Sequence, residues 1–78
     1  MREKTKKHLI TFHNTVGALE MEEYCMREGL PGRLIPVPPA ISAGCGMAWC
    51  VPDKDWDRME GAAQLWKEQI ENIYELWL

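Results

Sequence analysis

A cysteine between two glycines is the strongest chemical signal in this sequence. Cys45 lies between Gly44 and Gly46, three residues after Ser42, in a run that is rich in proline. Core packing does not require a thiol between glycines, whereas glycine lets the backbone adopt unusual angles and lets a partner approach closely. We therefore interpret Cys45 as the candidate nucleophile, and Ser42, Gly44 and Gly46 as binding residues of its loop.

The chemistry open to such a residue depends on whether the thiol ionises. A thiolate is the nucleophilic form of cysteine, and it is the form that can hold a terminal sulfur or selenium atom as a persulfide-type adduct. A nearby imidazole and the positive end of a helix dipole both favour the thiolate. His13 is the candidate imidazole, and a solvent-facing histidine is the alternative interpretation. Cys45 itself could instead be a small buried hydrophobic residue.

The other two cysteines are interpreted as structural. Cys25 falls on the apolar face of a predicted helix, and Cys50 lies inside a predicted strand. In an extended strand Cys45 and Cys50 would be separated by roughly 16 Å, at about 3.3 Å per residue. They could then share neither a metal ion nor a disulfide unless the segment bends. No Cys-x-x-Cys pair is present, so we expect no metal site and no cofactor.

The elements that must position Cys45 follow from local sequence patterns. Runs of β-forming residues predict strands, and caps and the helical spacing of apolar residues predict helices. The predicted strands span residues 8–13, 32–37, 46–51 and 73–78. The first predicted helix spans residues 15–28 and stops at Gly29. The second is capped by Asp53 or Asp55, and its apolar positions are Trp56, Met59, Ala63, Trp66 and Ile70.

This βαββαβ order predicts an α+β fold, the ferredoxin-like sandwich. Two helices would cover one face of a four-stranded antiparallel sheet ordered 4-1-3-2, with right-handed crossovers. We expect one such domain over residues 8–78, preceded by a flexible basic tail over residues 1–7. In this topology Cys45, His13 and the start of the first helix all lie at one edge of the sheet.

Composition and charge exclude several classes of function. The chain has 78 residues and a net charge of −3, whereas a nucleic-acid-binding domain needs a basic stripe. No apolar run approaches the roughly 20 residues of a membrane-spanning helix, and no signal peptide is evident. We therefore expect a cytoplasmic protein that binds neither nucleic acid nor membrane. Three cysteines without a secretion signal argue against a disulfide scaffold.

The segments 34–38 and 41–48 resemble a family of short bacterial proteins, DUF3343, described as selenium/sulfur carrier-like. Further similar positions are Leu9–Phe12, Ala18, Glu22, Gly29–Pro31 and Ile73–Tyr74. The resemblance implies that Cys45 is the carrier cysteine, and that the partners are a cysteine desulfurase-like donor and an acceptor enzyme. The protein would then be a carrier more than an enzyme. Family members often have a basic residue at the position of Pro39.

An interaction module is the alternative function. In a ferredoxin-like sandwich the helices leave one sheet face open, and we expect Trp49 or Trp77 to lie on that face. Exposed apolar faces tend to pair, and a two-fold homodimer is the simplest result. A non-catalytic regulatory or protein-interaction domain would then dimerise through the open face.

Overall fold

The computed structural model describes residues 4–41 and 46–78 of the chain. Its elements are the strands β1 (Lys6–Phe12), β2 (Arg33–Pro36), β3 (Met47–Pro52) and β4 (Ile70–Trp77), and the helices α1 (Thr15–Glu28) and α2 (Trp56–Leu65). A single 3₁₀ turn, Asp53–Asp55, precedes α2. The predicted order of elements is confirmed. The first strand begins at Lys6, inside the segment expected to be a tail.

The four strands form one antiparallel sheet in the order β2-β3-β1-β4. This is the predicted order, and it confirms the ferredoxin-like α+β fold. Strand β1 is central and pairs with both β3 and β4. Thr11 near the end of β1 is paired with Ala48 near the start of β3. The end of β1 and the start of β3 are therefore neighbours.

Helix α1 has the bounds predicted from its caps. The Asn14 side chain accepts a hydrogen bond from the Gly17 backbone N–H at 3.0 Å, which satisfies one of the free N–H groups of the first turn. Gly29 ends the helix in the left-handed conformation, with φ of 68°, where glycine carries no steric penalty. Both signals are local in sequence, and the helix therefore begins and ends where expected.

Both helices pack on the same face of the sheet and form the main core. Its buried residues are Ile10, Phe12, Ala18, Met21, Cys25, Trp49, Val51, Met59 and Ala62. Trp49 belongs to this helix-covered side, where its indole N–H donates to the Pro31 carbonyl oxygen at 3.1 Å. Trp77 is paired with Lys6 on β1. Lys6 and Ile10 are four residues apart on this strand and so share a face, which places Trp77 on the helix-covered side as well. The expectation of an open-face Trp49 or Trp77 is therefore wrong.

Helix α2 is shorter than its apolar spacing suggested. It ends at Leu65, and Ile70 is the first residue of β4, where it pairs with Phe12 across a register shift. Pairing with a central strand overrides the helical spacing, which is a weak determinant by itself, although the Ile70 N–H still donates to the Trp66 carbonyl oxygen at 3.2 Å. Asp55 occupies the N-cap position without a side-chain hydrogen bond, because the neighbouring turn already orders the helix start.

The second sheet face carries a smaller apolar cluster. Its buried members are Leu9, Ile41, Ala48 and Cys50, with Ile35, Val37, Tyr74 and Leu76 packed around them. Ile41 and Val37 come from the connection between β2 and β3. The segment that leads towards Cys45 therefore covers part of the face that the helices leave open.

Candidate functional site

The segment before residues 42–45 is anchored to the sheet by a turn. The Ile41 N–H donates to the Pro38 carbonyl oxygen at 3.0 Å, which closes a four-residue β-turn. Pro39 occupies the second position of this turn, where the fixed φ of proline is favoured. Ile41 is only 8% exposed. Pro39 therefore favours the turn that places Ile41 on the sheet. This is the position at which members of the similar family often have a basic residue.

The residue after Cys45 is held from the other side. Gly46 has φ of 76°, and its carbonyl oxygen accepts a hydrogen bond from the Val37 N–H at 3.1 Å. Among the described residues, no atom lies within 4 Å of where a Cβ at Gly46 would be. The left-handed backbone is the reason why glycine suits this position.

The predicted site residues divide into two groups. Ser42, Gly44 and Cys45 lie outside the described residues. His13 is exposed directly after β1, and its backbone N–H donates to the Gln69 carbonyl oxygen at 3.1 Å. The pairing of β1 with β3 brings His13 and Gly46 to the same end of the sheet.

The first turn of α1 opens at this same end. It contains no acidic residue, so no carboxylate of that turn neutralises the positive end of the helix dipole. The side chain of Asn14 binds one N–H group of the turn. An imidazole, a left-handed glycine and a helix N-terminus therefore share one end of the sheet.

The two described cysteines are poorly suited to nucleophilic chemistry. Cys25 is fully buried, with its Sγ 3.5 Å from the Met21 sulfur and 3.9 Å from the Met59 sulfur. Burial raises the pKa of the Cys25 thiol to about 11. Burial also raises the pKa of Cys50, although nearby positive charges partly oppose this. Both residues are therefore neutral thiols near pH 7, as expected of structural cysteines.

A buried histidine is the main feature that the sequence pattern missed. His8 is 7% exposed; its ring stacks on Trp56 with centroids 4.4 Å apart and planes at 4°. Its Nε2 lies 2.7 Å from the Asp53 carboxylate, which lowers the pKa of Asp53, with Lys6 contributing less. Residues 8, 10 and 12 lie on the same face of β1, which the helices cover. The two-residue period of a strand could therefore have predicted that His8 is buried.

The described residues contain neither a cluster of metal-ligating side chains nor a membrane-spanning helix. Within residues 4–41 and 46–78, no three His, Cys, Asp or Glu side chains are grouped so that they could hold a metal ion. Neither described helix is long and apolar enough to cross a membrane.

Comparison with known protein families shows to which family the chain belongs. The model of the family described as Putative Se/S carrier protein-like matches residues 7–75. The chain belongs to this family. The match includes both helices, all but the ends of the sheet and the whole segment around Cys45. Neither the curated proteins nor the solved structures that were compared with the chain gave a match.

Proposed function

We propose that this Se/S carrier family member transports one sulfur or selenium atom on the thiolate of Cys45. The observation that carries the proposal is the family match over residues 7–75. It is supported by the other two thiols, since Cys25 and Cys50 are buried and their pKa values are raised. A carrier needs a nucleophilic thiol, and Cys45 is the remaining candidate.

The transfer step conserves atoms and electrons. The Cys45 thiolate attacks the terminal sulfur of a donor persulfide, and a new S–S bond forms at Cys45 while the donor S–S bond breaks. The bonding pair leaves with the donor sulfur, which becomes a thiolate. The acceptor enzyme removes the atom by the same exchange in reverse. Selenium would follow the same scheme from a donor that holds it in an S–Se bond: that bond breaks, the donor sulfur leaves as a thiolate, and the new bond at Cys45 is S–Se.

The surroundings support this chemistry at one end of the sheet. The α1 N-terminus, without an acid in its first turn, and the exposed His13 both favour an anionic sulfur. Gly46 adds no side chain after the cysteine, and no described residue lies within 4 Å of where its Cβ would be. In this proposal His13 stabilises the thiolate, and the glycines admit the donor.

The donor in this proposal is a cysteine desulfurase-like enzyme of the cytosol. The direct test incubates the protein with a cysteine desulfurase and cysteine, and measures the intact mass without reductant. We expect a gain of one sulfur atom, located by peptide mapping on Cys45. The Cys50→Ser variant should still gain the atom, and Cys45→Ser should not. An adduct that is equally abundant in Cys45→Ser would refute the proposal.

The role of His13 needs its own measurement. The rate of alkylation of Cys45 should be followed against pH in the native protein and in His13→Gln. Loss of a nearby imidazole should move the midpoint of this profile to higher pH, because the thiolate loses a group that stabilises it. Coincident profiles would remove His13 from the mechanism while leaving the carrier function intact.

The second candidate function is a non-catalytic module that dimerises through the open sheet face. Four apolar residues there, Ile35, Val37, Tyr74 and Leu76, are only partly buried in the single chain, which favours a partner on this face. Light scattering after size-exclusion chromatography would test it with Tyr74→Glu. A dimer that dissociates in this variant, and not in Ile73→Glu on the opposite face, would support this candidate.

A further inference from the structure

A cavity of about 430 Å³ lies on the open sheet face, at its far end from the Cys45 segment. The described residues that line it are Lys4, Lys7, Gly32, Arg33, Ile35, Cys50, Pro52, Asp55 and Leu78. Its volume is within the range of about 300–1,000 Å³ that is typical of small-molecule sites. The cavity is therefore large enough for a small organic molecule and not only for an inorganic ion.

Strand register explains why these residues meet. Arg33 on β2 is directly paired with Cys50 on β3, which is in turn paired with Leu9 on β1. Lys7 is paired with Pro52, two residues further along the same strands. Directly paired residues and their second neighbours share a face. Arg33 and Lys7 therefore project on the same side as Cys50, from strands on either side of it.

The charge of the cavity differs from that of the molecule. Among the described residues, three cationic side chains, Lys4, Lys7 and Arg33, line it with one acidic side chain, Asp55, whereas the whole chain has a net charge of −3. Within residues 4–41 and 46–78, no acidic side chain forms an ion pair with any of these three cations. The Lys7 ammonium is oriented by hydrogen bonds to Thr5 Oγ1 at 2.7 Å and the Leu78 carbonyl oxygen at 3.3 Å.

The base of the cavity is apolar and uncharged. Ile35 and Cys50 belong to the smaller apolar cluster, and Cys50 is only 5% exposed. Because burial raises the pKa of Cys50, its thiol stays neutral and does not repel an anion. Cations at the rim and apolar side chains at the base match a ligand with a charged end and an apolar body.

We propose that this cavity binds a small organic dianion, with its acid group between Arg33, Lys7 and Lys4 and its apolar body against Ile35 and Cys50. The negative charge of the ligand complements the excess of cationic over acidic side chains among the described lining residues. A phosphate monoester and a compact dicarboxylate share this chemistry. The site is separate from Cys45, and a chain that fails the persulfide test can still pass the test of this site.

The test is calorimetric titration with phenyl phosphate, phthalate, inorganic phosphate and phenol, at low ionic strength. Saturable binding of phenyl phosphate or phthalate with one site per chain is expected, and the tighter of the two identifies the acid group. Inorganic phosphate and phenol should each bind at least about tenfold more weakly, because each lacks half of the contacts. No saturable binding of either aromatic dianion, or equal binding of inorganic phosphate, would overturn the proposal.

Variants locate the site. Arg33→Gln removes one cation from an exposed position on the edge strand, and affinity for the tighter dianion should fall by about tenfold. Lys67→Gln makes the same change of charge on an exposed residue outside the cavity and should leave the affinity unchanged. Amide NMR shifts on binding should be concentrated at residues 33, 35 and 50. An equal loss in both variants would mean a non-specific charge effect and would contradict the proposal.

Discussion

The imidazole of His8 lies parallel to the indole of Trp56, at 4.4 Å between ring centroids. This contact joins the central strand β1 to the first residue of α2. Asp53, in the intervening 3₁₀ turn, holds the same imidazole through its Nε2 at 2.7 Å. Lys6 extends the arrangement, because its ammonium lies 3.8 Å from Asp53 and 2.6 Å from Glu75. These contacts fix the start of α2 without a capping side chain.

Acid should weaken the protein partly through Asp53. The hydrogen bond from His8 lowers the folded-state pKa of this carboxyl. A carboxyl whose pKa is lowered by folding stabilises the folded state at pH values above its unfolded-state pKa. This stabilisation is lost as the pH falls through the folded-state pKa. We expect the Tm to fall as the pH drops below about 4, and to fall less steeply in Asp53→Asn. Thermal denaturation against pH measures this, and Glu60→Gln on the exposed face of α2 should retain the native slope.

Gly32 should tolerate no side chain. Its φ is 118°, and an added Cβ would lie 2.9 Å from the Cys50 carbonyl oxygen and in closer contact with the Trp49 indole nitrogen. We expect Gly32→Ala to lower the free energy of unfolding by about 2–4 kcal/mol. The matched control is Gly61→Ala inside α2, where nothing lies within 4 Å and a gain of about 0.5–1 kcal/mol is expected. Urea denaturation that gives both variants the same stability would contradict this.

Features fixed by neighbouring residues could be predicted from the sequence. Asn14 and Gly29 bracket α1, and local caps of this kind determine helix ends. The order of the six elements leads to the ferredoxin-like sheet, because short connections and right-handed crossovers leave few alternatives. The same topology brings His13 and Gly46 to one end of the sheet.

Features fixed by distant residues could not be predicted in this way. Ile70 belongs to β4 because it pairs with Phe12. Its spacing from Trp66 fits a helix equally well, so the local sequence does not distinguish the helix from the strand. His8 is buried by partners that follow it by more than 40 residues. The cation-lined cavity needs the register that pairs Arg33 with Cys50. Each of these outcomes depends on tertiary pairing, and local patterns do not specify it.

Ile41 should contribute far more stability than an isoleucine in the last strand. It is 8% exposed and packs with Leu9, Ala48 and Cys50, whereas Ile73 is 43% exposed. Truncation of a buried isoleucine to alanine costs at least about 2 kcal/mol, and we expect this for Ile41→Ala. Ile73→Ala should cost less than about 1 kcal/mol. If chemical denaturation gives equal losses, the segment before residues 42–45 is not anchored on the sheet in solution.

The three cysteines should differ sharply in their rates of alkylation. At about pH 8, a thiol whose pKa is near 11, such as Cys25, is ionised in only about one molecule in a thousand. Burial adds a steric barrier for Cys25 and Cys50. Iodoacetamide followed by peptide mass mapping should therefore modify Cys45 first in the native protein, and all three cysteines at similar rates in the unfolded chain. Native labelling of Cys25 as fast as Cys45 would contradict the packed core around Met21 and Met59. A Cys45 that reacts only after unfolding would instead remove the thiolate on which the carrier function depends.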